Sequence, residues 1–234
     1  MTVLEACQDA ASQLRPAQAV PTAIFASTDP FARELGALSN EAARAIAKVH
    51  DWRRLTLLKT QAGDGSATEF DLPTDYDRMP VKGGLFSTAH ELKLEPVDDL
   101  DEWLDREIRS FVGSIGYWII LSGSLHIKPV MAATESAKYY YITKYIAQTE
   151  AGVNKEKFTL DSDVFRLPER LLTLSLIWRW RHRKGLDYTE DMRNFEIAAA
   201  EEQSRDKGSR ILRVGKARLP DGINYAFPGV INAS

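Results

Sequence analysis

The 234-residue chain is 44% hydrophobic, carries a formal net charge of −3, and holds four histidines and one cysteine. Such an apolar fraction supports a buried core, whereas mild acidity excludes a protein that coats nucleic acid, because that work needs Lys and Arg in excess. Cys7 stands alone, which excludes an intramolecular disulfide and a cysteine-based metal cluster.

The chain lacks an apolar run of about 18 residues, the length a bilayer span requires, and its first residues lack the basic-then-apolar layout of a secretory signal. A soluble protein made in the cytoplasm is therefore expected.

Thr2 and Glu5 have the form of a capping box, after which Val3, Cys7, Ala10, Ala11 and Leu14 share a helical face until Pro16. Asp29-Pro30 is the next start signal, an N-cap followed by proline at the first helical position. Phe31, Leu35, Leu38, Ala42, Ala45, Val49 and Trp52 then recur at three- and four-residue spacing, with Gly36 or Ser39 as places where the helix could break. After Lys59 the turn residues Gly63 to Gly65 and a short run ending at Pro73 announce strands. "HELKLEPV" alternates Leu92 and Leu94 with charged neighbours, and Asp98-Asp99 can cap a helix carrying Trp103, Leu104, Ile108 and Phe111.

"YWIILSGSLHIKPV" reads as a hairpin turning at Ser122-Gly123-Ser124, and "KYYYITKYIAQ" reads as its partner strand. The alternation of that strand puts Tyr139, Tyr141 and Tyr145 on one face and Tyr140, Ile142 and Ile146 on the other. Helical period returns from Asp163, with Pro168 near the start of a helix through Leu171, Leu174 and Trp178 to Lys184. Gly185 stands where a left-handed C-cap residue is needed, with Leu186 available for the accompanying apolar contact. Asp187 and Glu190 look like a second capping arrangement, for a helix through Met192, Phe195 and Ala199 that stops near Gly208 and pairs antiparallel with the one before. Beyond Arg210, Gly and Pro recur without period, as in an extended arm.

Charge is uneven. Between Asp64 and Glu107 thirteen acids face four bases, while from Arg205 onward six bases face two acids. An acidic middle and a basic tail suit contacts with differently charged neighbours.

Catalytic patterns are weak. His50, His90, His126 and His182 are scattered without an HExxH arrangement, and neither a P-loop nor GxSxG is present. His126 reads as an outward-facing strand residue. The acids of "DDLDEWLDRE", among them Asp98, Asp99 and Asp101, are what a helix start favours, although a hydrolase would also need paired carboxylates. No catalytic, metal or cofactor site is assigned.

The stretch "IWRWRHRKGLDY" threads two tryptophans through four basic residues and a histidine. Its helix is apolar almost all round, so it belongs at the centre of a bundle or against a neighbouring subunit. Trp178, Arg179, Trp180, Arg181 and Arg183 are accordingly candidates for a basic helix end packed on the core, a phosphate-contacting patch, or a pairing with acids on an adjacent subunit.

Taken in order, "VHDWRRLTLLKT", "EFDLPTDYDRM", "SGSLHIKPVMAA", "AKYYYITKYIA", "FRLPERLLTLSLIWRWRHRKGLDY" and "NFEIAAAEEQSRDKG" resemble the head-to-tail adaptor, or head-completion, proteins of tailed bacteriophages. The resemblance covers most of the chain and rests on the order and spacing of these segments. It implies an α+β, mainly helical fold: a helical bundle from N- and C-terminal helices, an inserted antiparallel β-rich region and an extended C-terminal arm. Residues 1–210 would be a single adaptor domain, with helices in 1–59 and 160–208 and the insertion at 60–150, followed by the arm at 211–234.

It further implies a non-enzymatic virion protein at the head–tail interface, made in the bacterial host cytoplasm and needing no cofactor. A dodecameric homo-oligomeric ring would prolong the DNA channel, letting DNA pass without sequence-specific binding. Its partners would be the portal protein and the next tail component, whether stopper, nozzle or tail tube protein, with no membrane involved. The arm would bind the portal through Leu219, Tyr225, Phe227, Val230 and Ile231. Pairing of Trp178, Arg179, Trp180, Arg181 and Arg183 with an adjacent subunit would then be a ring interface. The alternative is a nucleic-acid-binding regulatory protein that grips with the Trp178–Lys184 helix end.

Overall fold

The structure is a computed structural model, which describes residues 2–89, 91–109 and 116–206. Among these lie five helices: α1 (Val3–Leu14), α2 (Pro30–Val49), α3 (Leu100–Ile108), α4 (Glu169–Arg183) and α5 (Thr189–Asp206). The strands are β1 (Thr56–Ala62), β2 (Glu69–Asp71), β3 (Tyr76–Arg78), β4 (Phe86–Ser87), β5 (Glu95–Pro96), β6 (Tyr117–Leu121), β7 (Ser124–Lys128), β8 (Ser136–Thr143), β9 (Ala147–Gln148), β10 (Asn154–Lys155) and β11 (Val164–Phe165). The fold is α+β.

The local signals at the helix ends act as the residues dictate. The Thr2 hydroxyl accepts the amide of Glu5, and the Glu5 carboxylate accepts the amide of Thr2 at 2.7 Å, completing the capping box of α1. Asp29 accepts the amide of Ala32 at the start of α2, ahead of Pro30. α2 runs unbroken through Gly36 and Ser39. Gly36 serves close packing: a Cβ there would lie 2.9 Å from Ile24 Cγ2. Gly185 adopts φ +68° after α4, and the amides of Gly185 and Leu186 bond the carbonyls of His182 and Arg181, the two bonds of a Schellman motif. Leu186 itself stays exposed. Asp187 accepts the amide of Thr189 rather than forming a full box, and α5 starts one residue later than such a box would place it.

α4 packs against α1, α2 and α5, and Leu171, Leu172 and Leu176 are completely buried. The helix that is apolar all round is therefore the central one, and its own chain covers it, with no second copy required. Each such side chain contributes roughly 1.5–3 kcal/mol by leaving water. The same core takes in Ile142 of β8 and Ile146 of the link from β8 to β9.

The strands form three sheets: β1-β8-β3 with β4 also on β8, then β2-β7-β6-β5, then β10-β9-β11. Phe70, Trp118, Leu125 and Ile127 of the second face Tyr139 and Tyr141 of the first across a shared core. The opposite face of the second sheet, Tyr117 and Ile119, is covered by Trp103 of α3. The β6–β7 hairpin turns on two residues, since Leu121 pairs with Ser124. Ser122 and Gly123 both have positive φ, the geometry that matches strand twist.

Several expectations need correction. β1 begins at Thr56, before Lys59, and short strands continue to Phe165, beyond residue 150. β8 does not partner the hairpin; it pairs with β1, β3 and β4 in the other sheet. The insertion is not purely antiparallel, because β5 pairs parallel with β6. Leu92 is exposed while Leu94 is buried, so that stretch does not alternate as a strand. His126 is not outward-facing, for it lies under α3 with its ring 6.1 Å from that of Trp103. Phe111 lies outside the described residues.

Candidate functional site

Two places gather the residues singled out from the sequence. The first is the C-terminal end of α4. Trp180 is buried, with its ring edge-on to Phe31 at 5.9 Å, and its indole N–H donates to Glu34 at 3.2 Å. Trp178 is half-buried on the α5 side, among His182, Tyr188 and Phe195, and its indole N–H has no hydrogen-bond partner among the described residues.

Each cation at this end meets a carboxylate of the same chain. Arg179 and Arg183 reach Glu41 at 2.7 and 3.3 Å, Arg181 reaches Asp191 at 2.6 Å, and Lys184 reaches Glu34 at 3.0 Å. Such partly exposed pairs stabilise by about 0–1 kcal/mol each, so their main effect is to hold the end of α4 to α2 and α5. Phosphates would have to displace those acids. Trp180 is a core residue, and Arg179 stacks 4.7 Å over the Trp178 ring beside a shallow groove.

The second place is the junction of helices and strands, built from "VHDWRR" and "DYDRM". Arg78 donates through Nη2 to the carbonyls of Ala47 and His50, which end α2, and to Asp51. A guanidinium is well suited to these unsatisfied carbonyls. Asp51 also accepts the amide of Val81 at 2.8 Å. Asp75 accepts the hydroxyls of Tyr141 and Thr143. The Trp52 indole donates to the carbonyl of Ile46. These residues therefore weld the β-sheets to α2.

Asp206, the last described residue, closes the same junction: its carboxylate accepts the amide of Arg53 and lies 3.2 Å from His50 Nε2. The arm of 211–234, with Leu219, Tyr225, Phe227, Val230 and Ile231, lies outside the described residues.

Sequence reading missed a cleft of about 230 Å³ beside this junction, lined by Arg44, Lys48 and Lys144 together with Asp77, Arg78 and Glu156. Arg44 and Lys48 are four apart on α2, a signal that was legible, but Lys144 arrives through tertiary folding.

Chemical groups are engaged structurally. Asp99 caps α3 by accepting the amide of Asp101. Burial pushes the Cys7 thiol up to about 12, with the charge of Asp161 adding to the effect. Burial would raise the acid of Asp163, but hydrogen bonds from Lys155 and from the amides of Thr159 and Leu160 prevail and hold it below the usual range. Among the described residues there is no group of three His, Cys, Asp or Glu side chains fit to hold a metal, and no helix long and apolar enough to cross a membrane.

With this geometry in hand, the chain is matched by the model of a protein family. Residues 1–224 fit the family described as SU10 adaptor protein, a family of phage head–tail adaptors. No curated protein matches the chain.

Proposed function

The chain belongs to the SU10 adaptor protein family, and we propose that it forms the ring between the portal and the tail of a tailed phage. As a phage adaptor it is a structural component of the virion. In this reading a dodecamer prolongs the DNA channel and offers the platform on which a stopper, nozzle or tail tube protein docks. The observation that carries the reading is a family match spanning both the described fold and most of the basic tail. The acidic β-region and basic C-terminal segment support it, since opposite ends of an adaptor meet different neighbours.

Residues 211–234 are assigned to the portal, with Leu219, Tyr225, Phe227, Val230 and Ile231 as anchors. A segment with spaced apolar residues and basic charge can order upon a partner. The clamp of Asp206 on Arg53 supports this by fixing the last described residue at the junction. The ring-interface role of Trp178, Arg179, Arg181 and Arg183 narrows to the exposed rim of that helix end, because Trp180 is core. The nucleic-acid reading has less support, given that the cations of the α4 end already face carboxylates.

Electron micrographs of the purified chain with its portal should show a closed ring coaxial with the portal. Unassembled particles beside bare portals would overturn the reading. Ending the chain after Arg210 should abolish portal binding while leaving helical circular dichroism intact, and binding retained by that variant would overturn the arm assignment.

A further inference from the structure

Among the large apolar side chains left in solvent, six lie on two faces of the β-region. On α3, Leu100, Leu104 and Ile108 are 58%, 52% and 72% exposed and recur every four residues, so they form one stripe. Trp103, on a different side of the helix, packs against Tyr117 and His126. At about 100° per residue the stripe centres roughly a quarter-turn round the helix from Trp103, so it lies on the flank of α3, beside the sheet that α3 covers.

The second face belongs to the other sheet. Along β8, Tyr139 and Tyr141 point into the core between the sheets, so Lys138, Tyr140 and Ile142 point outward. Ile142 is covered by the helical core. Beyond it the outer face is open: Tyr140 and its direct cross-strand partner Leu58 are 56% and 55% exposed, and Phe86, opposite Lys138, is 53% exposed.

The layers run α3, β2-β7-β6-β5, β1-β8-β4, and then this open face. The stripe and the open face thus belong to the first and the last layer of one stack. Their charges are complementary. At about 100° per residue, Asp101 and Asp105 flank the stripe on the side away from Trp103. On the open face Phe86 stands between Lys138 and Lys93, its bridge partners on either side. None of Lys93, Lys138 and Asp101 has an ion-pair partner among the described residues.

We infer that α3 of one copy packs on the open face of the β1-β8-β4 sheet of the next copy, with Leu104 against Tyr140 and the acids of α3 beside Lys138 and Lys93. The occupant is a second copy because one chain carries both halves of the match. Because the two patches differ, the contact is head-to-tail, the kind that generates a ring when its rotation closes. The inference rests on the ring reading and names the interface within it.

The test is a chain carrying Leu104→Cys and Tyr140→Cys together. Both positions are over half exposed, so the fold tolerates them, and they are too far apart across the stack to bond within one chain. Buried Cys7 does not compete. Mild oxidation of the protein, alone and on portal-bearing heads, should give a ladder of covalent multimers on a denaturing gel, while each single-cysteine chain gives none.

A second arm uses charge. Leu104→Lys with Ile108→Lys should abolish assembly, as should Tyr140→Glu, yet an equal mixture of the two proteins should give one-to-one dimers, since each keeps one intact face. Rings that form normally from these variants, or that leave the double-cysteine chain uncrosslinked, overturn the interface and leave the ring standing. An unmodified chain that forms no ring on the portal overturns both.

Discussion

The helical half and the β-region solve the burial problem differently. α1, α2, α4 and α5 close around a core in which Leu35, Leu171, Leu172 and Leu176 are fully buried. The β-region has strands of two to eight residues, spreads its apolar side chains over two smaller clusters, and leaves Leu58, Phe86, Leu100, Leu104, Ile108 and Tyr140 in solvent. The helical half covers its central helix within one copy, although Val49, Leu186, Met192 and Ile197 stay exposed. The β-region presents more apolar surface, so contacts with other subunits are to be sought there as well as at the rim of the α4 end.

That contrast can be broken most forcefully where the two halves meet. Asp163 is completely buried, and its carboxylate accepts from Lys155 at 2.6 Å and from the amides of Thr159 and Leu160, while its carbonyl accepts the amide of Val3. Asp163→Ala should cost about 3–5 kcal/mol, because a half-buried cation and two amides lose their partner, as measured by urea unfolding. The acid is held low in the folded chain, so the unfolded chain takes up its proton first as pH falls. This stabilisation is complete above the usual carboxylate value of 3.8 and is lost as pH drops through the folded value. Asp163→Asn should flatten that part of the acid unfolding curve.

Within the helical half, Leu176→Ala should cost about 2–5 kcal/mol through lost burial and a residual cavity, with one cooperative transition in calorimetry. Gly36→Ala should cost about 1 kcal/mol, as helix propensity gains less than the forced movement of Ile24 loses. Asp99→Ala at the cap of α3 should also cost about 1 kcal/mol, read as early loss of hydrogen-exchange protection in α3 alone.

The smallest effect sharpens the comparison from the β side. The Tyr139 hydroxyl is buried without a hydrogen-bond partner among the described residues, and burial pushes its pKa up to about 12. Tyr139→Phe should therefore be neutral or slightly stabilising in thermal melts, since it removes an unsatisfied polar group. A clear loss of stability would mean that the hydroxyl has a partner in solution.

Features legible in the sequence share a physical cause. Thr2 with Glu5, Asp29 with Pro30, and Gly185 after a basic turn each satisfy backbone groups within a few residues, so local pattern determined where α1, α2 and α4 begin or end. Alternation likewise determined the two faces of β8, and Ser122-Gly123 the hairpin turn. What α4 packs against, which sheet β8 joins, that β5 runs parallel to β6, and that Arg78 caps α2 were decided by tertiary structure alone. Those contacts join residues far apart in the chain, and an apolar face or a guanidinium records only that it needs a partner. Which partner it meets depends on how all the layers pack at once.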